Sequence, residues 1–187
     1  EQTVTVTGVN DDIDDGDIVY SIVTAAATST DTDYSALNAA DVSVTNTDND
    51  TIGVTQSATS ATIGEAATGT YTVALNTQPT ADVTVTLTSN DTTAATVTSS
   101  LTFTTDNWSS AQTVTVTGVN DDNTTNESVA ISHSATSSDA DYNAVSIASV
   151  AVTLADDDTA GITASAISGN TTEGATTATF TLVLNTQ

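Results

Sequence analysis

The stretch QTVTVTGVNDD, at residues 112–122, decides the fold of this protein. In its first half Val114 and Val116 alternate with threonines. Successive side chains of a β-strand point to opposite faces of its sheet, so this period of two predicts a strand with one buried face. The same eleven residues occur unchanged at residues 2–12. The chain is therefore predicted to be an all-β protein built from repeats.

Further matching segments define the length of the repeat. The pairs are DTDY (31–34) with DADY (139–142), DNDTIGVT (48–55) with DDDTAGIT (156–163), and TYTVALNTQ (70–78) with TFTLVLNTQ (179–187). Together with the opening pair, these segments are offset by 108 to 110 residues, which gives a repeat of about 109 residues. We therefore predict the C-terminal part of a preceding repeat at 1–50, a complete repeat at 51–158, and the N-terminal part of a following repeat at 159–187.

Within the complete repeat, alternating apolar residues and turn residues predict about seven short antiparallel strands. The predicted strands are 52–56 with 61–65 as one broken strand, 70–76, 82–88, 95–98 with 101–104, 112–119, 128–135 and 145–154. No helical periodicity interrupts them. This density of short strands is typical of an antiparallel β-sandwich of the immunoglobulin-like kind.

The charge of the chain restricts its partners. It contains 24 Asp and Glu residues, no Lys or Arg and one His, for a formal net charge of −24. Two carboxylates about 4 Å apart repel by about 1 kcal/mol in water and by more at a protein surface. We therefore expect no nucleic-acid partner. No apolar stretch reaches the ~20 residues of a membrane helix, so we also expect no membrane insertion.

The acidic residues are predicted to gather at the ends of the sandwich. If the strands run alternately up and down, Glu65, the loop 121–127 and the exit 156–158 share one end. The hairpin 137–143, with Asp139 and Asp141, lies at the other end, where it meets the exit 48–50 of the preceding repeat. Carboxylate and amide oxygens without Cys or clustered His favour Ca²⁺ over zinc or copper, and their irregular supply favours Ca²⁺ over Mg²⁺.

Three sequence features resemble Calx-beta repeats, the calcium-binding sandwiches first recognised in sodium–calcium exchangers. They are DDDTAGIT followed by TTEG, VTVTGVNDD followed by an acid, and the exit triplet DDD. The chain resembles most closely the tandem versions in giant secreted bacterial proteins, over essentially its whole length. This resemblance implies a seven-stranded sandwich with calcium at its C-terminal end, displayed outside a bacterial cell.

Candidate calcium ligands follow from matching positions to the family. They are Glu65, Asp121, Asp122, Glu127, Asp156, Asp157 and Asp158 in the complete repeat, Asp11, Asp12, Asp17, Asp48 and Asp50 in the preceding one, and Glu173 in the following one. This comparison matches Asp17 with Glu127, the last acid of the loop. Asp91 fits the family pattern less well. An alternative interpretation is that the clusters are solvated turns that keep the protein soluble.

These features together predict a structural role. We expect a non-enzymatic repeat segment of a long extracellular bacterial surface protein or filament, such as an adhesin stalk, stiffened by calcium at the junctions between repeats. Its partners would be neighbouring repeats of the same chain or identical chains in a filament. No catalytic constellation accompanies His133, which is predicted to be structural or exposed.

Other functions remain open at the level of sequence. One is a repeat that binds a ligand or surface, such as a glycan or ice. Another is a spacer in a secreted enzyme or toxin whose active domain lies elsewhere. The incomplete repeats at residues 1–50 and 159–187 also leave open an exchange of strands between chains.

Overall fold

The computed structural model describes residues 1–187 as an all-β protein with thirteen strands. The strands are β1 (Ile18–Ile22), β2 (Val42–Asn46), β3 (Val54–Gln56), β4 (Ser60–Gly64), β5 (Thr68–Leu75), β6 (Val83–Ser89), β7 (Ala95–Val97), β8 (Ser100–Phe103), β9 (Gln112–Gly118), β10 (Glu127–Ser137), β11 (Val150–Ala155), β12 (Ile162–Ala164) and β13 (Leu182–Leu184). No helix has the length and apolar character needed to cross a membrane.

Strands β3 to β11 form a two-layer sandwich, which we call the central sandwich. One sheet has the order β4-β11-β10-β6-β8 and the other the order β3-β5-β9-β7. Neighbouring strands are antiparallel except β4 and β11, which are parallel. The predicted all-β sandwich is confirmed. It has nine strands instead of about seven, because each predicted broken strand passes from one sheet to the other at its break and pairs there with different neighbours.

The core of the central sandwich consists of twenty buried apolar residues, all between Ile63 and Leu154. Val114 and Val116 of β9 are 0% and 3% exposed, as their alternation predicts. At the end of the same strand, a Cβ on Gly118 would lie 2.7 Å from the carbonyl oxygen of Gly64. A side chain at Gly118 would therefore push apart the two sheets where β4 and β9 end.

Residues 1–50 and 159–187, which we call the N-terminal and C-terminal segments, each contain one antiparallel hairpin. The hairpins are β1–β2 and β12–β13. In the N-terminal segment Val4 and Val6, which match Val114 and Val116 in sequence, are 82% and 43% exposed. The local backbone is nevertheless preserved, since the matching residues Ala36 and Ala144 have φ angles of 63° and 62°. Local sequence therefore shapes the turns, whereas burial requires a facing sheet.

His133 of β10 points into the space between the two sheets. Its Nε2 lies 2.7 Å from the hydroxyl of Tyr71 on β5, and the rings meet edge to face with centroids 5.8 Å apart. Burial raises the pKa of Tyr71 to about 12. Burial also lowers the pKa of His133. The neutral imidazole, accepting a hydrogen bond from the Tyr71 hydroxyl, is therefore the form that the folded protein favours.

His133 is expected to make folding stability depend on pH. Because its pKa is lower in the folded state, the unfolded chain binds the proton more readily below the ordinary pKa of about 6.5. The free energy of unfolding should therefore fall as pH decreases through 6.5 towards the lowered pKa of the folded state. Substitution His133→Gln, which cannot titrate, should remove this contribution. Urea unfolding between about pH 7.5 and pH 5.5 measures it, and equal slopes for parent and variant would contradict the assignment.

Candidate metal centre

Five carboxylates converge where strands end at one end of the central sandwich. Glu65 follows β4, and Asp156 and Asp158 follow β11; these parallel strands are paired up to Gly64 and Ala155. Asp121 and Glu127 flank the loop between β9 and β10. Carboxylate oxygens of Glu65, Asp121 and Glu127 lie within 4.8 Å of one another, as do those of Glu65, Asp156 and Asp158. Glu65 thus belongs to two adjoining groups.

Glu65 is the buried member of both groups. Its side chain is 5% exposed, and its Oε1 atom is buried without a hydrogen-bond partner. Glu127 Oε2 and Asp158 Oδ2 are likewise buried without partners. The chain contains no Lys or Arg that could neutralise them. Unpaired buried charge is costly, so this arrangement fits a cation that takes the unpartnered oxygens as ligands.

The electrostatics of the two groups agree with this interpretation. Burial raises the pKa of Glu65, and the charges of Asp121 and Glu127 raise it further against one opposing backbone hydrogen bond. Burial also raises the pKa of Asp158, together with the charges of Asp156 and Asp157. Each carboxylate is thus destabilised in its charged form by burial and by its neighbours. A divalent cation would reverse both effects.

Hydrogen bonds hold the carboxylates while leaving oxygens available. Asn123 donates its side-chain amide to Asp121 Oδ2 at 2.7 Å and to Glu127 Oε1 at 3.1 Å. The backbone N–H of Asp158 donates to Asp156 Oδ1 at 2.9 Å. Asn123 was not among the residues predicted from sequence. Its position between two acids of a loop is the signal that could have identified it.

Two predicted ligands of the complete repeat lie outside both groups. Asp122 and Asp157 are exposed, and their neighbours Asp121 and Asp156 take part instead. Glu173, the sequence match of Glu65, is also exposed. The prediction that Glu65, Asp121, Glu127, Asp156 and Asp158 share one end agrees with their placement. The three exposed acids are not brought into a group.

Asp139 and Asp91 act within their own loops. Asp139 accepts hydrogen bonds from the backbone N–H groups of Thr80 at 2.7 Å and Asp141 at 3.0 Å. Burial acts to raise the pKa of Asp139, but these hydrogen bonds outweigh it and lower the pKa. Side-chain and backbone hydrogen bonds from Thr93 lower the pKa of Asp91. Both carboxylates therefore stabilise turns and lie outside the candidate centre.

The acidic loop of the N-terminal segment has a different register. The backbone N–H of Asp48 donates to Asp17 Oδ1 at 2.9 Å, as that of Asp156 donates to Asn126 Oδ1 at 2.9 Å. Asp17 therefore occupies the place of Asn126, whereas the sequence comparison matches it with Glu127. The shift arises from one inserted residue, Gly16, which has a φ angle of 79°.

The remaining acids of the N-terminal segment surround Asp48 and Asp50. Hydrogen bonds from the backbone of Asp50 and Gly16 lower the pKa of Asp48. Burial raises the pKa of Asp50, helped by the charges of Asp48, Asp12 and Asp11. Nevertheless, these acids form no group as tight as the two that contain Glu65.

Comparisons with known proteins give only weak structural similarities. No protein-family model matches the chain, and no curated protein matches it in sequence. A chain of a chaperone–tip adhesin complex of CFA/I fimbriae is 12% identical with a TM-score of 0.42, covering 63% of this chain and 62% of that one. Domains 4 and 5 of the S-layer protein SbsC are 21% identical with a TM-score of 0.36, covering 62% and 58%. WR4, a C. elegans MSP family member, is 7% identical with a TM-score of 0.37, covering 55% and 96%.

This chain therefore spans less than two thirds of the adhesin-complex and SbsC chains that it matches. The predicted Calx-beta resemblance is not supported by a family match. With similarities this weak, the function has to be argued from the residues of this chain.

Proposed function

We propose that this protein is a non-enzymatic repeat segment of an extracellular bacterial surface protein or filament, in which Ca²⁺ stiffens the junctions between sandwiches. One observation carries the proposal. The carboxylate of Asp121 belongs to the candidate centre, and the carbonyl of the next residue, Asp122, accepts a hydrogen bond from the backbone N–H of Gln187 at 2.8 Å. Gln187 lies in the C-terminal segment. The same loop therefore contacts both the centre and the neighbouring segment.

A second copy of this junction supports the proposal. The backbone N–H of Gln78 donates to the carbonyl of Asp12 at 2.7 Å. Gln78 matches Gln187 in sequence, and Asp12 matches Asp122. An additional hydrogen bond joins the Ile52 N–H to Asp14 Oδ2 at 2.8 Å. A contact that recurs at both ends of the central sandwich is expected of a repeat unit whose boundaries lie near residues 50 and 158.

Calcium suits this centre and the proposed location. Its ligands would be oxygens of Glu65, Asp121, Glu127, Asp156 and Asp158, with water completing a shell of six to eight. Extracellular calcium is millimolar, which is sufficient for sites at the weak end of the affinity range. Ordering the loop at residues 121–127 would restrict the hinge to Gln187. The partners would be adjacent repeats of the same chain or identical chains in a filament.

The proposed stiffening can be measured by small-angle X-ray scattering. Calcium should increase the maximum dimension of the chain and reduce its flexibility relative to chelator. The double substitution Asp156→Asn with Asp158→Asn should remove most of this change, because the amides keep the local hydrogen bonds but lose the charges. The charge-matched control Asp82→Asn with Asp106→Asn alters exposed acids outside the centre. Identical scattering with calcium and with chelator would contradict the proposal.

A further inference from the structure

An apolar groove lies open in the N-terminal segment. It encloses about 210 Å³ and is lined by Val4, Val6, Ile22, Thr24 and Val42. The matching positions in the central sandwich are Val114, Val116, Ile131, His133 and Val150. All of these except the half-buried His133 belong to the closed core. The groove is therefore the interior of a sandwich that lacks part of its covering strands.

The C-terminal segment carries residues of the kind that cover this interior in the central sandwich. Phe180, Leu182 and Leu184 are 58%, 63% and 69% exposed. Their sequence matches Tyr71, Val73 and Leu75 on β5 are 4%, 0% and 3% exposed. In the central sandwich β5 pairs with β9, placing Tyr71 opposite Val114. The same register would place Phe180 opposite Val4.

One substituted pair strengthens this complementarity. Where the central sandwich joins Tyr71 to His133 by a hydrogen bond, the matching residues are Phe180 and Thr24. Phe180 has no hydroxyl that needs a partner. The hydroxyl of Thr24 already donates to the carbonyl of Ala39 at 2.7 Å. Packing Phe180 against Thr24 would consequently leave no polar group unsatisfied.

We infer that copies of this chain assemble head to tail, with residues 159–187 of one copy covering the groove of residues 1–50 of the next. The two segments together supply counterparts of β3, β4 and β5 and of β9, β10 and β11. Counterparts of β6, β7 and β8 are absent, and these three strands all lie on one side of the sandwich. The remaining orders, β3-β5-β9 and β4-β11-β10, stay contiguous. Two complete layers would therefore face each other.

The exposed apolar surface is large enough for a specific contact. Fifteen large apolar side chains in the two segments are 43% to 82% exposed. Burying each fully is worth about 1.5–3 kcal/mol at 25 cal/mol per Å², so together they offer roughly 500–1,000 Å² of apolar surface. Apolar groups make up about 57–65% of an interface, which implies a total near the 1,200–2,000 Å² of stable complexes.

The geometry around Gly8 also provides space for the partner copy. In the central sandwich Gly118 packs against Glu65, whose Cα would lie 3.4 Å from a Cβ at that position. Beside Gly8, the match of Gly118, the structure instead has a cavity of about 160 Å³. Glu173, the match of Glu65, would enter this cavity from the neighbouring copy. The contact between copies is separate from stiffening by calcium and does not depend on it.

Cross-linking in register tests the inference. Thr70 and Thr115 are cross-strand partners in the central sandwich, and their matches are Thr179 and Thr5. The chain has no cysteine, so a mixture of the single variants Thr5→Cys and Thr179→Cys can form only engineered disulfides. We expect a disulfide-linked dimer from the oxidised mixture, in chelator as well as in calcium. Because each copy carries a charge of −24, the yield should rise with salt.

A mixture of Thr7→Cys and Thr181→Cys serves as the control, because these positions are four residues out of register, about 13 Å along the strand. Its yield should be at least tenfold lower. Phe180→Asp, introduced into the Thr179→Cys variant, should reduce the in-register yield by at least tenfold, since Phe180 is exposed in the single chain and its loss leaves the fold intact. Equal yields in and out of register, or none in either mixture, would overturn the inference.

Discussion

Saturating calcium is expected to raise the melting temperature of this protein by about 10–20 °C, and Glu65→Gln to abolish most of that increase. A ligand at about 100 times its dissociation constant stabilises the folded state by about 2.7 kcal/mol. For a domain of roughly 100 residues, each kcal/mol corresponds to about 4–8 °C. Glu65 has the decisive role because its carboxylate belongs to both oxygen groups.

The same substitution should have the opposite effect in chelator. Burial and the neighbouring carboxylates raise the pKa of Glu65, so its charged form destabilises the folded state at neutral pH. This stability is fully present below the unfolded pKa and is lost as pH rises through the raised folded pKa. Glu65→Gln removes the penalty, so the calcium-free variant should melt at a higher temperature than the calcium-free parent.

Thermal unfolding followed by circular dichroism measures both effects. The control is Asp106→Asn, which removes one exposed acid outside the centre. It should leave the calcium-induced increase intact. Protonation competes with calcium at the same oxygens, so the increase should shrink below about pH 5. A Glu65→Gln variant that keeps the full increase would show that calcium binds elsewhere.

Tyr142→Ala should destabilise the central sandwich by about 3–5 kcal/mol, the range for deleting a buried aromatic side chain. Tyr142 is fully buried, and its hydroxyl joins the loop before β6 through Thr77. It accepts from the Thr77 N–H at 3.0 Å and donates to the Thr77 carbonyl at 2.9 Å. Truncation would therefore create a cavity and leave two backbone groups unpaired.

The chain contains a matched control for this prediction. Tyr34 lies in the equivalent motif and is 62% exposed, so Tyr34→Ala should change stability by less than about 0.5 kcal/mol. Urea unfolding at low protein concentration keeps copies apart and measures both variants. Tyr142→Phe should cost about 1–3 kcal/mol, the penalty of unpaired buried polar groups. Equal costs at Tyr34 and Tyr142 would contradict the assigned difference in burial.

Much of the fold could be predicted because strand signals are local. Alternation in residues 112–118 predicts β9 and its buried face. Up-and-down strands also predict that Glu65, Asp121 and Asp156 end on one side. Two features required the structure. The breaks within 52–65 and 95–104 do not reveal that the chain changes sheets. The effect of Gly16 on register is visible only through the hydrogen bond from Asp48 to Asp17.

The sequence by itself determined the repeat, the strands, the turns and the excess of acids without counter-charges. Tertiary structure alone decided which acids meet, because Asp121 and Asp122 are adjacent in the chain but only Asp121 faces Glu65. It also decided the environment of identical sequences. Val4 and Val114 stand in the same eleven residues, yet only Val114 is buried. Burial depends on a facing sheet supplied by distant residues, and no local pattern encodes whether that sheet is present.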